Sequence, residues 1–152
     1  MSTYTATIRW TRKGEGDFTK GQYSRAHSWE FDGGLTVPAS PSPHIVPAPW
    51  NDPSGVDPEE AFVASLSSCH MLFFVDFARR GGFVVDAYVD EAEGVLEKRA
   101  DGKMAMTRVT LHPQITWGGT HPDEAAIADL HHRAHEACFI ANSVNTEVKI
   151  EQ

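Results

Sequence analysis

Hydrophobic and polar residues recur along the chain in patterns that predict six strands and two helices. Loosely alternating stretches that predict strands cover residues 4–12, 23–31, 84–91, 93–99, 104–117 and 145–150. Helical spacing predicts a first helix from Pro58 to just before Gly81-Gly82, and a second that Pro122 opens and that ends at about Cys138. This order of strands, helix, strands, helix and strand predicts an α+β domain with a mainly antiparallel sheet.

The first helix has the clearest local signals. Asp57 suits the N-cap, Pro58 suits the first helical position, and Glu60 stands where a capping box places its glutamate. An apolar stripe then follows at helical spacing: Phe62, Leu66, Cys69 and Phe73. Because residues 61–75 are apolar on most sides, we expect this helix to lie in a core or an interface.

A proline-rich segment separates the second predicted strand from the first helix. Seven prolines fall between Pro38 and Pro58. Proline removes backbone donors, so the segment is predicted to be neither a central strand nor a helix. A loop of this length indicates a functional loop or packing across a subunit interface, and a variable surface loop is the alternative.

Composition and charge narrow the class of protein. The chain has 152 residues, 41% hydrophobic and 22% charged, with a formal net charge of -8. We expect one domain over residues 1–152. The negative charge argues against nucleic acid or an anionic membrane as a partner, and no apolar run approaches the ~20 residues that span a bilayer. Residues 1–20 lack a signal-peptide pattern, so the expected location is the cytoplasm.

The two cysteines lie on different predicted helices. Cys69 follows the first capping signal by about three turns, and Cys138 ends the second helix. Two thiols outside any disulfide framework favour a peroxide-type redox pair. The alternative is two unrelated buried cysteines, because free cysteine often behaves as a small buried hydrophobic residue.

A cluster of histidines in the second helix suggests a different class of site. His131 and His135 are one turn apart and share a helix face, as metal-binding pairs do, and His121 and His132 lie nearby. A complete metal site needs three or four ligands, and no second ligand pair is evident. A polar helix face is the alternative. His70 points about 100° away from Cys69 around the helix, so it is not assigned as a base.

Two short blocks carry a resemblance to a known family. Asp57-Pro58-Glu59-Glu60 followed by Ser68-Cys69-His70, and Ala134-His135-Glu136-Ala137-Cys138, resemble the signature blocks of the OsmC/Ohr family. The resemblance extends from about residue 24 to the last strand. It implies an OsmC-like α+β fold with the Cys69 helix central, an intertwined homodimer, and peroxide detoxification, which many members perform as thiol-dependent hydroperoxide reductases.

The resemblance also implies roles for individual residues. Cys69 matches the peroxidatic cysteine, Cys138 the resolving cysteine, and Glu59 the glutamate of the proline-glutamate motif. Arg25, in Tyr23-Ser24-Arg25-Ala26-His27, is the best match to the arginine near the reactive sulfur. The chain departs from the common pattern in two places. Phe139 follows Cys138 where many members have proline, and His70 replaces the aromatic residue of the organic-hydroperoxide branch.

Thiol chemistry explains why these residue types are needed. A peroxidatic cysteine reacts as the thiolate, and Cys69 lies too deep in its helix for the N-terminal dipole to stabilise that charge. A cation is therefore needed, which Arg25 could supply, with Glu59 orienting the guanidinium. Ten residues of helix place Glu59 about 15 Å from Cys69. Either the helix is broken, or Glu59 serves the Cys69 of a second subunit, which is our hypothesis.

The expected cycle requires no bound cofactor or metal. The Cys69 sulfenic acid condenses with Cys138 to a disulfide, and an external dithiol, a lipoyl-bearing protein or a small thiol, resets the pair. Apolar residues that could line a pocket for an alkyl peroxide are Trp50, Phe62, Leu66 and Phe73. The alternatives are a non-catalytic member that binds a small apolar ligand at the dimer groove, and a His-rich metal-binding protein.

Overall fold

The computed structural model describes all 152 residues and shows an α+β fold with two helices and mainly antiparallel strand pairing. The chain divides into two compact units, Met1–Ala61 and Phe62–Gln152, which are described in turn. The single domain over residues 1–152 stays a prediction.

The first unit contains a three-stranded antiparallel sheet. Its strands are β1 (Ala6–Arg9), β2 (His27–Phe31) and β3 (Thr36–Ala39), in the order β1-β2-β3. A one-turn 3-10 helix, Phe18–Lys20, lies between β1 and β2. Strands β1 and β2 fall inside the predicted stretches.

Strand β3 was not predicted, because the proline-rich segment was expected to contain no central strand. Pro38 lies within β3 and opposes Ser28 of β2. Because β3 is the last strand of this sheet, a residue without an N–H is tolerated there.

The rest of the proline-rich segment folds back on itself through Ser40, which is fully buried. The Ser40 hydroxyl accepts a hydrogen bond from the Asp52 N–H at 2.8 Å, and the Ser40 N–H donates to the Val56 carbonyl at 3.0 Å. The Val56 N–H in turn donates to the Pro38 carbonyl at 2.9 Å. The segment is therefore a closed, internally bonded loop. Its role as a functional loop or in an interface stays a prediction.

The second unit holds most of both helices and five strands. Helix α1 (Pro58–Arg80) begins at the end of the first unit, and helix α2 spans Glu124–Ala137. The strands are β4 (Val84–Asp90), β5 (Glu93–Lys98), β6 (Met104–Leu111), β7 (Pro113–Gly118) and β8 (Glu147–Ile150). Strand β4 pairs with β7, and β6 lies between β5 and β8, with β6–β8 the parallel pair. A short 3-10 helix, Ala141–Ser143, precedes β8.

The prediction of one strand over residues 104–117 was wrong, because the chain changes sheets at His112. Strand β6 ends at Leu111 in one sheet, and β7 begins at Pro113 in the other. The His112 N–H donates to the Asp90 carboxylate at 2.6 Å, and Pro113 has no N–H to continue a ladder. A side chain from β4 thus stabilises the break.

The helix ends match their local signals, with one correction. Asp57 and Glu60 form the predicted reciprocal capping box, and Gly82 adopts a left-handed φ of 83° just after α1. Pro122 does not open α2. Asp123 is the N-cap, and its carboxylate accepts from the Ala126 N–H at 2.8 Å. An aspartate side chain supplies that acceptor, which proline cannot.

Two apolar clusters form the core of the second unit, and α1 contributes to both. One cluster is built on Leu66, Val109 and Leu111, and the other on Phe74, Ala78, Leu130 and Ala134. The second cluster lies between α1 and α2. It is this helix–helix contact that positions the cysteines.

Helix α1 corrects the expectation that no segment reaches membrane-spanning length. By length and composition alone, its 23 residues are long and apolar enough to cross a bilayer. Core helices meet the same criterion, and α1 places Leu66 and Phe74 in the two clusters.

Candidate functional site

Helix α1 carries Cys69 near its middle. The capping box, in which the Asp57 N–H donates to Glu60 at 2.7 Å and the Glu60 N–H donates to Asp57 at 2.8 Å, fixes where the helix begins. From that start, helical periodicity buries Leu66, His70 and Phe74 on one face. Cys69 lies beside this face and is half-buried.

Cys138 is the C-cap residue of helix α2. The Cys138 side chain is 1% exposed, and its backbone N–H donates to the His135 carbonyl at 3.3 Å. The sulfur accepts a hydrogen bond from the Ala141 N–H at 3.4 Å. Backbone contacts on both sides therefore hold this thiol at the end of the helix.

The fold brings the two cysteines together, and neither is in a disulfide. Burial raises the pKa of Cys138 to about 11, and the neighbouring Cys69 thiol acts in the same direction. Cys138 therefore keeps its proton at neutral pH. A half-buried thiol on α1 thus faces a buried, protonated thiol at the end of α2.

Two phenylalanines flank the thiol pair. Phe73, one turn after Cys69, and Phe139, next to Cys138, make an edge-to-face contact with ring centroids 5.0 Å apart. The Phe139 ring remains 70% exposed. This contact joins the residue that follows Cys138 to the turn of α1 that follows Cys69.

The same helix contact contains a histidine pair that was not predicted from the sequence. His70 is 1% exposed and His131 is 3% exposed, and His70 Nε2 lies 3.0 Å from His131 Nδ1. Burial lowers the pKa of each imidazole to about 4. One signal was present in the sequence, since His70 falls on the same i, i+4 stripe as Leu66 and Phe74. Its side chain points into the core and not toward the Cys69 sulfur, as the helix geometry predicted.

Arg25 lies in the first unit, where hydrogen bonds hold its guanidinium group in place. One guanidinium nitrogen donates to the Gly21 carbonyl at 2.9 Å and to the Tyr23 carbonyl at 2.7 Å. The guanidinium carbon lies 3.8 Å from the centre of the Tyr23 ring. None of the ion pairs of the chain includes Arg25. The loop thus holds a cation without a carboxylate partner, and its action on Cys69 stays a prediction.

Glu59 lies in the first turn of α1 and is half-buried. Helix α1 is continuous from Pro58 to Arg80, which removes the alternative of a broken helix. Ten residues of unbroken helix separate Glu59 from Cys69 by about 15 Å along the axis. Within one chain the carboxylate therefore does not reach the sulfur.

The histidines of α2 do not form a metal site with their neighbours. No group of three or more His, Cys, Asp or Glu side chains is placed to hold a metal ion. His131 uses its Nδ1 in the contact with His70 instead. The alternative of a His-rich metal-binding protein gains no support from this placement.

The residues suggested for a peroxide pocket have different surroundings. Leu66 is 1% exposed and belongs to the core, while Phe73 packs against Phe139. Phe62 lines an open cavity of about 420 Å³, together with Arg99, Ala105, Met106, Thr107, Val144, Asn145 and Thr146. Trp50 lies in the proline-rich loop, where its carbonyl accepts from the Arg25 N–H at 3.0 Å.

Comparison with solved structures shows the relationship of the whole chain. An OsmC-like protein of unknown function from Vibrio cholerae is 52% identical, with 99% of each chain covered and a TM-score of 0.97. An organic hydroperoxide resistance protein from Legionella pneumophila is 19% identical, over 99% of this chain and 97% of that chain, with a TM-score of 0.70. OhrB, an organic hydroperoxide resistance protein of Bacillus subtilis, is 24% identical over 97% of each chain, with a TM-score of 0.67. The last two comparisons show a shared fold.

Comparison with protein families gives the same relationship. No curated protein matches the sequence. The family profile described as OsmC-like protein matches residues 51–152, which include both cysteines. With this match and the 52% identical structure, the chain belongs to the OsmC-like protein family.

Proposed function

We propose that the chain is a thiol-dependent peroxidase that reduces organic hydroperoxides, with hydrogen peroxide as a second substrate. The proposal is supported by two neighbouring, unbonded thiols of unequal exposure, Cys69 on α1 and Cys138 at the end of α2. Relatives that share the fold are named organic hydroperoxide resistance proteins, which agrees with this chemistry.

The first step assigns the peroxide to Cys69. Cys138 is 1% exposed, whereas Cys69 is half-buried, so a dissolved peroxide meets Cys69 first. The Cys69 thiolate attacks one peroxide oxygen and the O–O bond breaks. Sulfur keeps the attacked oxygen as a sulfenic acid, and the other oxygen leaves as the alcohol after taking up a proton.

The second step uses the proton that Cys138 has kept. Because its pKa is raised to about 11, Cys138 remains a thiol and resists direct oxidation by peroxide. When its sulfur attacks the Cys69 sulfenic acid, the S–S bond forms and the S–O bond breaks. The thiol proton and the departing hydroxide leave together as water.

The third step requires a reductant from solution. An external dithiol, such as a lipoyl-bearing protein or a small dithiol, exchanges with the Cys69–Cys138 disulfide and becomes a disulfide itself. The cycle is then complete without a bound cofactor.

Arg25 and Glu59 are proposed to support the thiolate. The Arg25 guanidinium is held by two carbonyls and the Tyr23 ring, with no carboxylate partner in the chain. Its charge would stabilise the sulfur anion, and the Glu59 carboxylate of a second subunit would orient it, since Glu59 does not reach its own Cys69.

The test is a steady-state assay of hydroperoxide consumption with a dithiol reductant. We expect Cys69→Ser to abolish consumption, because the attacking sulfur is lost. We expect Cys138→Ser to turn over briefly and then lose activity as Cys69 is over-oxidised. Ser68→Ala, an exposed neighbour on the same helix, is the matched control and should keep full activity.

Retained consumption by Cys69→Ser would contradict the proposal. A wild-type protein that consumes no hydroperoxide with any dithiol would instead favour the alternative of a non-catalytic member that binds a small apolar ligand.

A further inference from the structure

The apolar contact between α1 and α2 encloses a buried pair of imidazoles. Phe74, Ala78, Leu130 and Ala134 form the apolar part. Within it, His70 Nε2 and His131 Nδ1 lie 3.0 Å apart, and the two side chains are 1% and 3% exposed. The Phe74 ring stacks on His131, with centroids 4.2 Å apart. The histidine pair is thus enclosed by the helix contact.

This pair is not explained by stability alone. A neutral imidazole carries one donor and one acceptor, so the pair shares one hydrogen bond and leaves one nitrogen on each ring. Those nitrogens, His70 Nδ1 and His131 Nε2, are buried and have no partner. Apolar residues of similar volume would avoid that desolvation cost. A buried polar pair of this kind is best explained as a contact that forms in only one relative position of the two helices and so favours that position.

The histidine pair lies close enough to both cysteines for the relative position of the helices to affect the distance between the thiols. His70 directly follows Cys69 on α1, and His131 precedes Cys138 by seven residues, about 10 Å along α2. A slip or rotation of α2 against α1 would break the imidazole hydrogen bond and move Cys138 away from Cys69 together.

We propose that the His70–His131 hydrogen bond is a positioning contact for the dithiol, which fixes α2 against α1 so that Cys138 reaches the Cys69 sulfur. His70 and His131 are positioning residues that do not touch the peroxide. The inference rests on the proposed function only in requiring that the two cysteines form a disulfide.

A dipyridyl disulfide tests this step without peroxide. The Cys69 thiol displaces one pyridinethiol from the reagent and forms a mixed disulfide. The Cys138 thiol then displaces the second pyridinethiol and forms the Cys69–Cys138 bond. The two thiol protons leave on the two pyridinethiol molecules, and the S–S bond of the reagent is the bond that is reduced. The rate of the second release therefore measures how well Cys138 is placed.

The geometry supplies matched variants at His131. Asparagine places its amide where Nδ1 lies, and it keeps the hydrogen bond to His70. Glutamine carries the same amide one bond farther, near the unpartnered Nε2, and leucine removes the hydrogen bond. His132→Leu, an exposed change on the same helix, is the control.

We expect His131→Leu and His131→Gln to slow the second release about tenfold, because a lost buried hydrogen bond is worth about that factor. We expect His131→Asn to stay within about twofold of the wild type, and His132→Leu to be unchanged. If His131→Leu does not fold by circular dichroism, the comparison of asparagine with glutamine decides.

Equal second-release rates for the wild type, His131→Gln and His131→Asn would overturn the inference while leaving the proposed function intact. A wild-type protein that releases only one pyridinethiol would show that the thiols do not pair. That result would overturn the inference and the resolving step together. Peroxide inactivity with normal second release would affect the proposed function alone.

Discussion

The two cysteines have different surroundings, and this difference determines which of them reacts first in the proposed cycle. Cys138 is buried, accepts a hydrogen bond from the Ala141 N–H, and has its pKa raised to about 11. Cys69 is half-buried on a helix face. Peroxide therefore reaches the accessible Cys69 thiol first, and the buried Cys138 thiol reacts in the second step.

Tyr88 provides a prediction for a single side chain. Its hydroxyl is buried without a hydrogen-bond partner, and burial raises its pKa, with the Asp90 charge acting in the same direction. Its ring packs on Phe74 with centroids 5.7 Å apart. Tyr88→Phe keeps that ring and removes the unpaired hydroxyl, so we expect the free energy of unfolding in urea to rise by about 1 kcal/mol.

Tyr4→Phe, at a 91% exposed position, is the control and should leave the free energy of unfolding unchanged. A loss of stability in Tyr88→Phe would show that the hydroxyl is paired in solution.

The chemistry of single residues was only partly readable from the sequence. The cysteines and Glu59 lie in recognisable motifs, so the sequence alone could nominate them, and their roles stay predictions. The His70–His131 pair joins residues from separate helices, and nothing local to either histidine marks the contact. Only the packing of α1 on α2 creates it.

At the level of elements, α1 is held closely against β5 and β6 at one glycine. An added Cβ at Gly94 would lie 2.5 Å from Val63 Cγ2 and 2.5 Å from Met106 Cε. Val63 is β-branched and belongs to a helix, so it yields little. The absence of a side chain at Gly94 therefore sets how near α1 approaches the strands.

Gly94→Ala should accordingly destabilise the fold. We expect the free energy of unfolding in urea to fall by about 1–3 kcal/mol, the usual cost of overpacking. Gly33→Ala is the control, because a Cβ there meets no atom within 4 Å. A Gly94→Ala protein as stable as Gly33→Ala would show that the helix is not packed this closely.

The elements also show which local signals were sufficient. The residues that start α1, Asp57 and Glu60, lie within one turn of each other, so the sequence alone placed the N-terminus correctly. The break at His112 depends on the Asp90 carboxylate, which is 22 residues away in the sequence. The alternating pattern of residues 104–117 therefore gives no sign of the break. Strand β3 is tolerated as a strand because of its edge position, which is a tertiary property.

For the whole molecule, the buried imidazoles make stability depend on pH. The folded-state pKa of His70 and of His131 is about 4, below the value of about 6.5 in an unfolded chain. Between these values the unfolded chain binds more protons. The stabilisation is therefore complete above about pH 6.5 and is lost as the pH falls through about 4. The charges facing His70 are His131, His135 and Asp90, of which Asp90 alone acts to raise the pKa.

We expect the free energy of unfolding to fall by several kcal/mol between pH 7 and pH 4.5, measured by urea titration. The double variant His70→Gln/His131→Asn replaces both imidazoles with amides that do not titrate. Without the two imidazoles it should lose several kcal/mol less than the wild type over the same range. Parallel curves for the two proteins would contradict the placement of these imidazoles.

The assembled state is a second property of the whole molecule. Exposed apolar residues on α1 include Leu72, 63% exposed, and Val75, 37% exposed. We propose that this face contributes to a homodimer, in which Glu59 of one subunit serves Cys69 of the other. Sedimentation should give twice the chain mass for the wild type and a shift toward monomer for Leu72→Glu. A monomeric wild type, or a dimer in which Glu59 stays more than about 10 Å from every Cys69, would contradict this assembly.

Titration of free thiols after one equivalent of an organic hydroperoxide tests whether Cys69 and Cys138 react as a pair. We expect both thiols of each chain to disappear together, and proteolysis to recover one peptide pair joined by a Cys69–Cys138 disulfide. Two thiols that persist after the hydroperoxide is added, or that are lost without this intrachain linkage, would contradict it.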